Sequence, residues 1–206
     1  MNTSENRRWA LVGPLTVALW IVGLALLTHH QPGEHASGSE ILAWYKAHTD
    51  SILLGGWLFM NGCLGFVVFV AGLGQRLAAP VLALAGAAIA AVSGMLTAAV
   101  DVAGGLDKND ITPATALAFH HAVDIFFITA ELTAVLPLAV IAVLAWRTRV
   151  LPRWWAAFSG LVAVVLIVGP IGWIGLIFGV PIWTLGTSLF VLLDSRARMR
   201  TAAAAA

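Results

Sequence analysis

Three ionisable residues, His120, Asp124 and Glu131, lie in one long apolar stretch of the chain. At ~100° per residue, a helix places Asp124 about 40° and Glu131 about 20° from His120, so the three share one stripe together with Phe127. Ionisable residues inside an apolar helix bundle are rare, face its interior and are candidates for function. An uncharged carboxylic acid in an apolar pocket serves as a proton donor. We therefore expect Glu131, Asp124 and His120 to be catalytic.

Two other apolar stretches offer polar partners for this stripe. Ser93, Thr97 and Asp101 recur every four residues, and Asn61 lies in the preceding stretch. These spacings predict a polar cavity that opens toward an outer face and narrows toward Glu131. Asp101 joins the predicted catalytic group. The residues expected to bind substrate are His121, Thr97, Asn61, Phe127 and Trp57.

The composition indicates whether such a cavity would belong to a soluble protein or to a membrane protein. The 206 residues are 60% hydrophobic and 10% charged, with a mean hydropathy of +0.93. Soluble domains are about 25% charged, so a soluble enzyme, a disordered chain and a disulfide scaffold are excluded. The single cysteine, Cys63, permits no disulfide within the chain. The arginines are scattered, which argues against a nucleic-acid partner.

Six apolar stretches predict an all-α, polytopic membrane helix bundle formed by one domain, residues 1–206. The last apolar run is too long for one span and is divided near Pro170–Trp173, where proline and glycine favour a reversal. Thr112 followed by Pro113 is a typical helix start. The predicted transmembrane helices cover about 9–28, 51–73, 79–102, 117–146, 154–171 and 175–193.

The first long loop, from His29 to Asp50, is predicted to contain a short amphipathic helix at the outer face. Ser37 and Glu40 have the spacing of a capping box, and apolar residues follow at helical spacing. The four histidines of this loop have no ligand spacing on a regular element apart from the adjacent His29 and His30, so we expect solvated side chains and no metal site. We recognise no motif for a cofactor and expect none.

Basic residues predict the orientation in the membrane, because cytoplasmic loops carry an excess of lysine and arginine. Nine of the eleven basic residues fall on one side of the six-span arrangement; these are Arg7, Arg8, Arg76, Arg147, Arg149, Arg153, Arg196, Arg198 and Arg200. The other side carries only Lys46 and Lys108 and most of the acids. A multi-pass cell-membrane protein with both termini in the cytoplasm is therefore expected.

Three segments resemble a family of actinobacterial six-span membrane proteins of uncharacterised function. They are 32–45, with Pro-Gly followed by Ser-Glu-Ile-Leu-Ala-Trp-Tyr, then Asp-Ser-Ile-Leu at 50–53 and Val-Leu-Pro-Arg-Trp at 150–154. The resemblance covers most of the chain and implies a six-helix membrane fold and an actinobacterial origin. It implies no activity, and the family pattern does not clearly include the acid and histidine stripe.

Three functions are compatible with these features. The first is acid–base chemistry on a small lipophilic substrate, as in a terpene cyclase or an isomerase. The second is proton-coupled transport of a small molecule, although the apolar residues after Glu131 count against a continuous path. The third is a non-catalytic subunit or sensor of a membrane complex. The expected partners are the lipid bilayer and a small lipophilic molecule, and the oligomeric state stays open.

Overall fold

The computed structural model describes residues 11–77 and 79–204, and within these ranges the chain is helical with no strands. A 3₁₀ turn at Gly169–Ile171 precedes the last helical segment. That segment, called the terminal helix below, consists of Gly172–Ile174, a π-helical turn at Gly175–Gly179 and Val180–Ala204. The five helices before it are α1 (Val12–Leu27), α2 (Gly38–Arg76), α3 (Pro80–Leu106), α4 (Pro113–Thr148) and α5 (Arg153–Ile167).

The number of helices agrees with the six predicted from the sequence. Four segments are long and apolar enough to cross a membrane, namely Gly38–Arg76, Val81–Leu106, Pro113–Thr148 and Gly169–Asp194. Helices α1 and α5 are apolar but shorter. The fold is therefore compatible with an integral membrane protein, and the last apolar run divides at 168–171, where the sequence predicted its division.

Both helix starts predicted from the sequence are confirmed. The Ser37 amide donates to Glu40 Oε2 at 2.7 Å, and the Ser37 hydroxyl accepts from the Glu40 amide, which forms a complete capping box. Thr112 accepts from the Thr115 amide at 3.2 Å, and Pro113 occupies the first turn. Each start satisfies amide groups that a helix terminus leaves without a partner.

The short amphipathic helix predicted in this segment is present, as the part of α2 that precedes a kink. Residues from Gly38 onward form the first turns of α2, which continues to Arg76 with a kink at His48 (φ −119°, ψ 19°). The apolar side chains of this segment are buried against other helices: Ile41 and Tyr45 are fully buried and Trp44 nearly so. The helix is therefore amphipathic as predicted, with its apolar face packed on the bundle and Glu40 and Lys46 exposed, and its position at an outer interface stays a prediction.

The two ends of the bundle carry different polar residues. At the histidine end lie the connections 28–37 and 107–112, together with His29, His30 and His48. The arginine end carries the connections 77–79 and 149–152, where Arg76 Nη1 lies 3.8 Å from Asp194 Oδ2 and Arg153 lies over the Trp146 ring. The amino tail with Arg7 and Arg8 lies outside the described residues.

Glycine allows α1 and α2 to approach each other closely. A Cβ atom on Gly23 would lie 2.6 Å from the Phe59 backbone nitrogen, and one on Gly55 would lie 2.8 Å from the Gly23 oxygen and the Leu27 nitrogen. These neighbours are backbone atoms on regular helices and cannot move aside. The contact between α1 and α2 therefore requires glycine at both positions.

Indole and hydroxyl groups join α5 to the terminal helix. Trp155 Nε1 donates to Thr187 Oγ1 at 2.9 Å, and Trp183 Nε1 donates to Ser159 Oγ at 2.8 Å. Each helix thus supplies one indole donor and one hydroxyl acceptor. Trp183, Ser159 and Thr187 are fully buried, so these bonds satisfy polar groups that have no access to solvent.

We expect Gly23→Ala and Gly55→Ala to destabilise the protein by about 2 kcal/mol or more, because overpacking forces helices apart. In a helix without such a clash, Gly→Ala raises stability by about 1 kcal/mol. A loss of stability in these variants therefore indicates the clash. Thermal unfolding in detergent measures it. Gly160→Ala on α5 is the matched control, since a Cβ there would meet only Ala142 Cβ at 3.9 Å; equal stabilities for all three variants would contradict the close contact.

Ser159→Ala should lower the free energy of unfolding by about 1–2 kcal/mol, because it leaves the buried Trp183 indole without an acceptor. Ser93→Ala is the control, because the Ser93 hydroxyl is also buried but donates only to Ile89 O of its own helix. Reversible unfolding with a denaturing detergent compares the two. A loss for Ser93→Ala as large as that for Ser159→Ala would show that the bond between the helices contributes nothing.

Candidate functional site

An apolar cavity of about 470 Å³ lies between α1, α2, α3, α4 and the terminal helix. Aromatic side chains contribute much of its wall; they are Trp20, Phe59, Phe66, Phe127 and Phe178. Three lining residues, Ile21, Phe178 and Ile182, are each more than half exposed on the outside of the bundle. The cavity therefore opens sideways, between α1 and the terminal helix, onto the apolar surface of the bundle.

The cavity arises where small residues face large ones. On α2, Phe59, Cys63 and Phe66 recur at helical spacing and point toward α1 and α3. Opposite them, α3 and α4 present mostly small side chains, namely Ala90, Ala91, Gly94, Ala130 and Ala134, together with Phe127 of α4. The π-helical turn Gly175–Gly179 contributes Leu176, Ile177 and Phe178 to the wall. Such turns are frequent at functional sites.

Toward the arginine end the cavity meets a tightly packed core. Phe69, Leu73, Leu138 and Ile141 are each 0% exposed and belong to one contiguous cluster of buried side chains. The cavity is consequently blind on this side. A molecule that enters from the side or from the histidine end meets packed side chains before it reaches the arginine end.

The cavity wall has very little capacity for hydrogen bonds. The Thr28 hydroxyl already donates to Leu24 O at 2.9 Å, and Cys63 is a buried free thiol. The indole Nε1 of Trp20 is buried and has no hydrogen-bond partner among the described residues, and the ring lies against Gly62, where a Cβ would be 2.6 Å from Trp20 Cδ1. A molecule in this space is therefore held by its shape and by contact with apolar and aromatic side chains.

Glu131 is buried, but its carboxyl group lies beside the cavity rather than in its wall. A Cβ on Gly172 would lie 2.6 Å from Glu131 Oε2, so the carboxyl group faces the first residue of the terminal helix. Its chain neighbour Ala130 lines the cavity. Helix α4 begins 18 residues before Glu131, about 27 Å along the axis. Along the axis of the bundle, Glu131 therefore lies at the same depth as the end of the short helix α5, far from the start of α4.

Asp101 is buried at the histidine end, where it accepts a hydrogen bond from the Tyr45 hydroxyl at 3.1 Å. Gly104 lies directly against the Tyr45 ring, which lets this ring pass between α2 and α3. Asp124 is exposed. Neither aspartate is among the residues that line the cavity.

His120 and His121 differ in environment although they are adjacent. His120 is 5% exposed and its Nδ1 atom has no hydrogen-bond partner among the described residues. His121 is exposed, with its ring centre 6.4 Å from that of His120. The helical stripe therefore divides: His120 and Glu131 face the interior, and Asp124 lies at its exposed edge.

Of the residues expected to bind substrate, Phe127 lies in the cavity wall. Trp57 is 59% exposed on the outside of α2. Asn61 donates to Trp57 O at 2.8 Å and Thr97 to Ser93 O at 3.2 Å, so both are bonded within their own helices. Sequence reasoning missed Phe59, Cys63 and Phe66. Their signal was their helical spacing on α2 opposite small residues on α3.

Comparison of the chain with protein families, with curated proteins and with solved structures finds no match. The resemblance to an actinobacterial six-span family stays a prediction. The candidate site is therefore interpreted from its geometry alone: a blind, apolar, laterally open cavity with ionisable residues nearby but outside its wall.

Proposed function

We propose that this chain is an integral membrane protein that binds a small lipophilic molecule in the cavity between its helices. The observation that carries the proposal is the lateral opening, because it connects the cavity to the apolar surface that lipid would cover. A volume of about 470 Å³ lies within the usual range of ligand pockets. The aromatic wall provides large, rigid contact surfaces.

The chemistry of the wall also favours one kind of ligand. Lipid tails are as apolar as the cavity, so transfer from the bilayer gains little hydrophobic free energy. Binding must then come from close contacts and from a small loss of conformational entropy. A rigid or branched lipophile, such as a polycyclic or isoprenoid molecule, meets these conditions better than a flexible acyl chain.

The proposal includes a six-span arrangement in the cell membrane with both termini in the cytoplasm. Arg76, Arg147, Arg149 and Arg153 lie at the arginine end. The histidine end carries Lys46 and Lys108 with most of the acids. This asymmetry supports a cytoplasmic arginine end, which makes the histidine end the outer one.

The expected acid–base chemistry gains less support than ligand binding. Asp101, Asp124, His120 and Glu131 are not among the residues that line the cavity. Glu131 is the nearest of them along the chain to a lining residue. We therefore propose binding as the function. Proton-coupled transport is disfavoured by the packed core that closes the cavity toward the arginine end.

Filling the cavity should abolish ligand binding. Ala91 lines the cavity, and Ala91→Phe places an aromatic ring in its space. We expect at least a tenfold lower yield of co-purified lipophile, since ligand and ring would compete for the same volume. Native mass spectrometry and lipid analysis of the purified protein measure this yield, and Ala91→Leu is the milder variant if folding suffers.

Ala99→Phe is the matched control for this experiment. Ala99 lies on the same helix, α3, but on its exposed face. This variant should retain the same lipophile at the wild-type level. Equal retention by Ala91→Phe and Ala99→Phe would contradict the cavity as the binding site, and absence of any lipophile from the wild type would contradict the proposed function.

Glu131→Gln tests whether the acid belongs to the binding site. Because the carboxyl group faces Gly172, we expect ligand retention within about twofold of the wild type, as is usual for substitutions away from the contact surface. A fall comparable to that of Ala91→Phe would place Glu131 at the ligand. A lipophile that accumulates chemically unconverted only in Glu131→Gln would restore the acid–base hypothesis.

A further inference from the structure

We propose that the molecule bound in the cavity is a lipophilic alcohol, whose hydroxyl group donates a hydrogen bond to the carboxyl end of α1. The inference rests on the proposed function, since it specifies the ligand of the same cavity. Three features of the wall lead to it: one end of the cavity is polar and exposed, the groups at that end accept hydrogen bonds, and the wall carries no charge.

The cavity has an apolar deep end and a polar outer end. Its wall follows α1 from Val17 to Thr28, a distance of about 16 Å at 1.5 Å per residue. Val17 is 3% exposed, whereas Thr28 is exposed. Among the described residues of the wall, Thr28 alone carries a hydroxyl group. An elongated ligand therefore has a place for a polar group at the histidine end of the cavity and contacts apolar side chains along the rest of its length.

The polar groups at this end act as acceptors. The Thr28 hydroxyl proton is used in the bond to Leu24 O at 2.9 Å, so its oxygen retains lone pairs for a donor. In a continued helix the His29 amide would bond to Ala25 O, but it donates to Leu26 O at 3.4 Å. The carbonyl oxygen of Ala25, a residue of the cavity wall, is therefore left without its helical partner. A polar group of the ligand must donate to be bound here.

Charge selects the kind of donor. None of the described residues that line the cavity is charged, so an ammonium group would enter without a counter-ion. The carboxyl end of a helix carries about half a negative charge, which disfavours phosphate and carboxylate groups. A hydroxyl group is uncharged, and its proton can be shared between Thr28 Oγ1 and Ala25 O in a three-centre bond. The ligand is thus an isoprenoid or polycyclic alcohol with its apolar body toward Val17.

Three probes with one carbon skeleton test the inference. Farnesol donates a hydrogen bond, the aldehyde farnesal only accepts one, and farnesene has no polar group. Saturable binding of tritiated farnesol to the full-length protein in detergent gives its Kd, and competition gives the affinities of the other two. We expect farnesol to bind about 5-fold more tightly than farnesene, the contribution of one hydrogen bond, and farnesal to bind no more tightly than farnesene.

Thr28→Val removes the hydroxyl group and nearly keeps the shape of the side chain. It should weaken farnesol binding about 5-fold and leave farnesene binding unchanged, because only farnesol loses a hydrogen bond. Partition of each probe into micelles cancels in this comparison, since wild type and variant are measured in the same detergent. Thr28→Ser restores the acceptor and should bind farnesol as the wild type does.

Thr148→Val is the matched control. Thr148 is exposed at the end of α4, donates to Leu144 O at 2.8 Å just as Thr28 donates to Leu24 O, and does not line the cavity. This variant should bind farnesol within about twofold of the wild type, as is usual for surface substitutions.

The outcomes separate this inference from the proposed function. Unchanged farnesol binding by Thr28→Val, an equal loss for farnesol and farnesene, or tighter binding of farnesal than of farnesol would overturn the alcohol as the ligand. If the probes nevertheless bind and Ala91→Phe abolishes their binding, the cavity remains a site for lipophiles. The absence of saturable binding for all three probes overturns the inference, and the proposed function fails with it when the wild type also retains no lipophile on purification.

Discussion

Close contact at glycine is the constraint on which the rest of the bundle depends. Helices surrounded by lipid gain little from the hydrophobic effect, so they associate through tight packing and hydrogen bonds between helices. In this chain a glycine lies in most of the main helix contacts, against a backbone or a side chain of its neighbour, although the contact between α4 and α5 has no such close approach. These pairs are Gly23 with Phe59, Gly104 with Tyr45, Gly86 with Pro137, Gly38 with Pro113, Gly179 with Val162 and Gly186 with Trp155.

The cavity lies beside the places where glycine allows close helix contact. Where glycine meets backbone, as at Gly23 and Gly55, the helices touch. The Phe59 and Phe66 side chains project from α2 beside this contact, and the alanines of α3 and α4 opposite them do not fill the space. The indole–hydroxyl bonds between α5 and the terminal helix keep the opposite wall in place. The cavity therefore depends on the α1–α2 contact on one side and on the contact between α5 and the terminal helix on the other.

Unequal helix lengths separate the ionisable residues from the cavity. Helices α2 and α4 extend toward the histidine end beyond the ends of α1 and α5. Their extra turns pack on each other through a small apolar cluster with Ile41, Trp44, Tyr45 and Ala116. The ionisable residues at this level are Asp101, Asp124, His120, His29, His30 and His48. The polar chemistry of the molecule is thus concentrated at one end, and the cavity lies deeper in the apolar bundle.

The sequence by itself determined the six helices, their caps at Ser37 and Thr112 and the reversal near Pro170, because these depend on local composition and on hydrogen bonds between near neighbours. It also singled out Glu131 and His120, which the structure buries. Only the tertiary structure decided what these residues face, since helical spacing gives an angle but no neighbour. Asp124 is exposed, and the Glu131 carboxyl lies against Gly172. The cavity needed the fold as well, because it is built from segments that meet only when the helices pack.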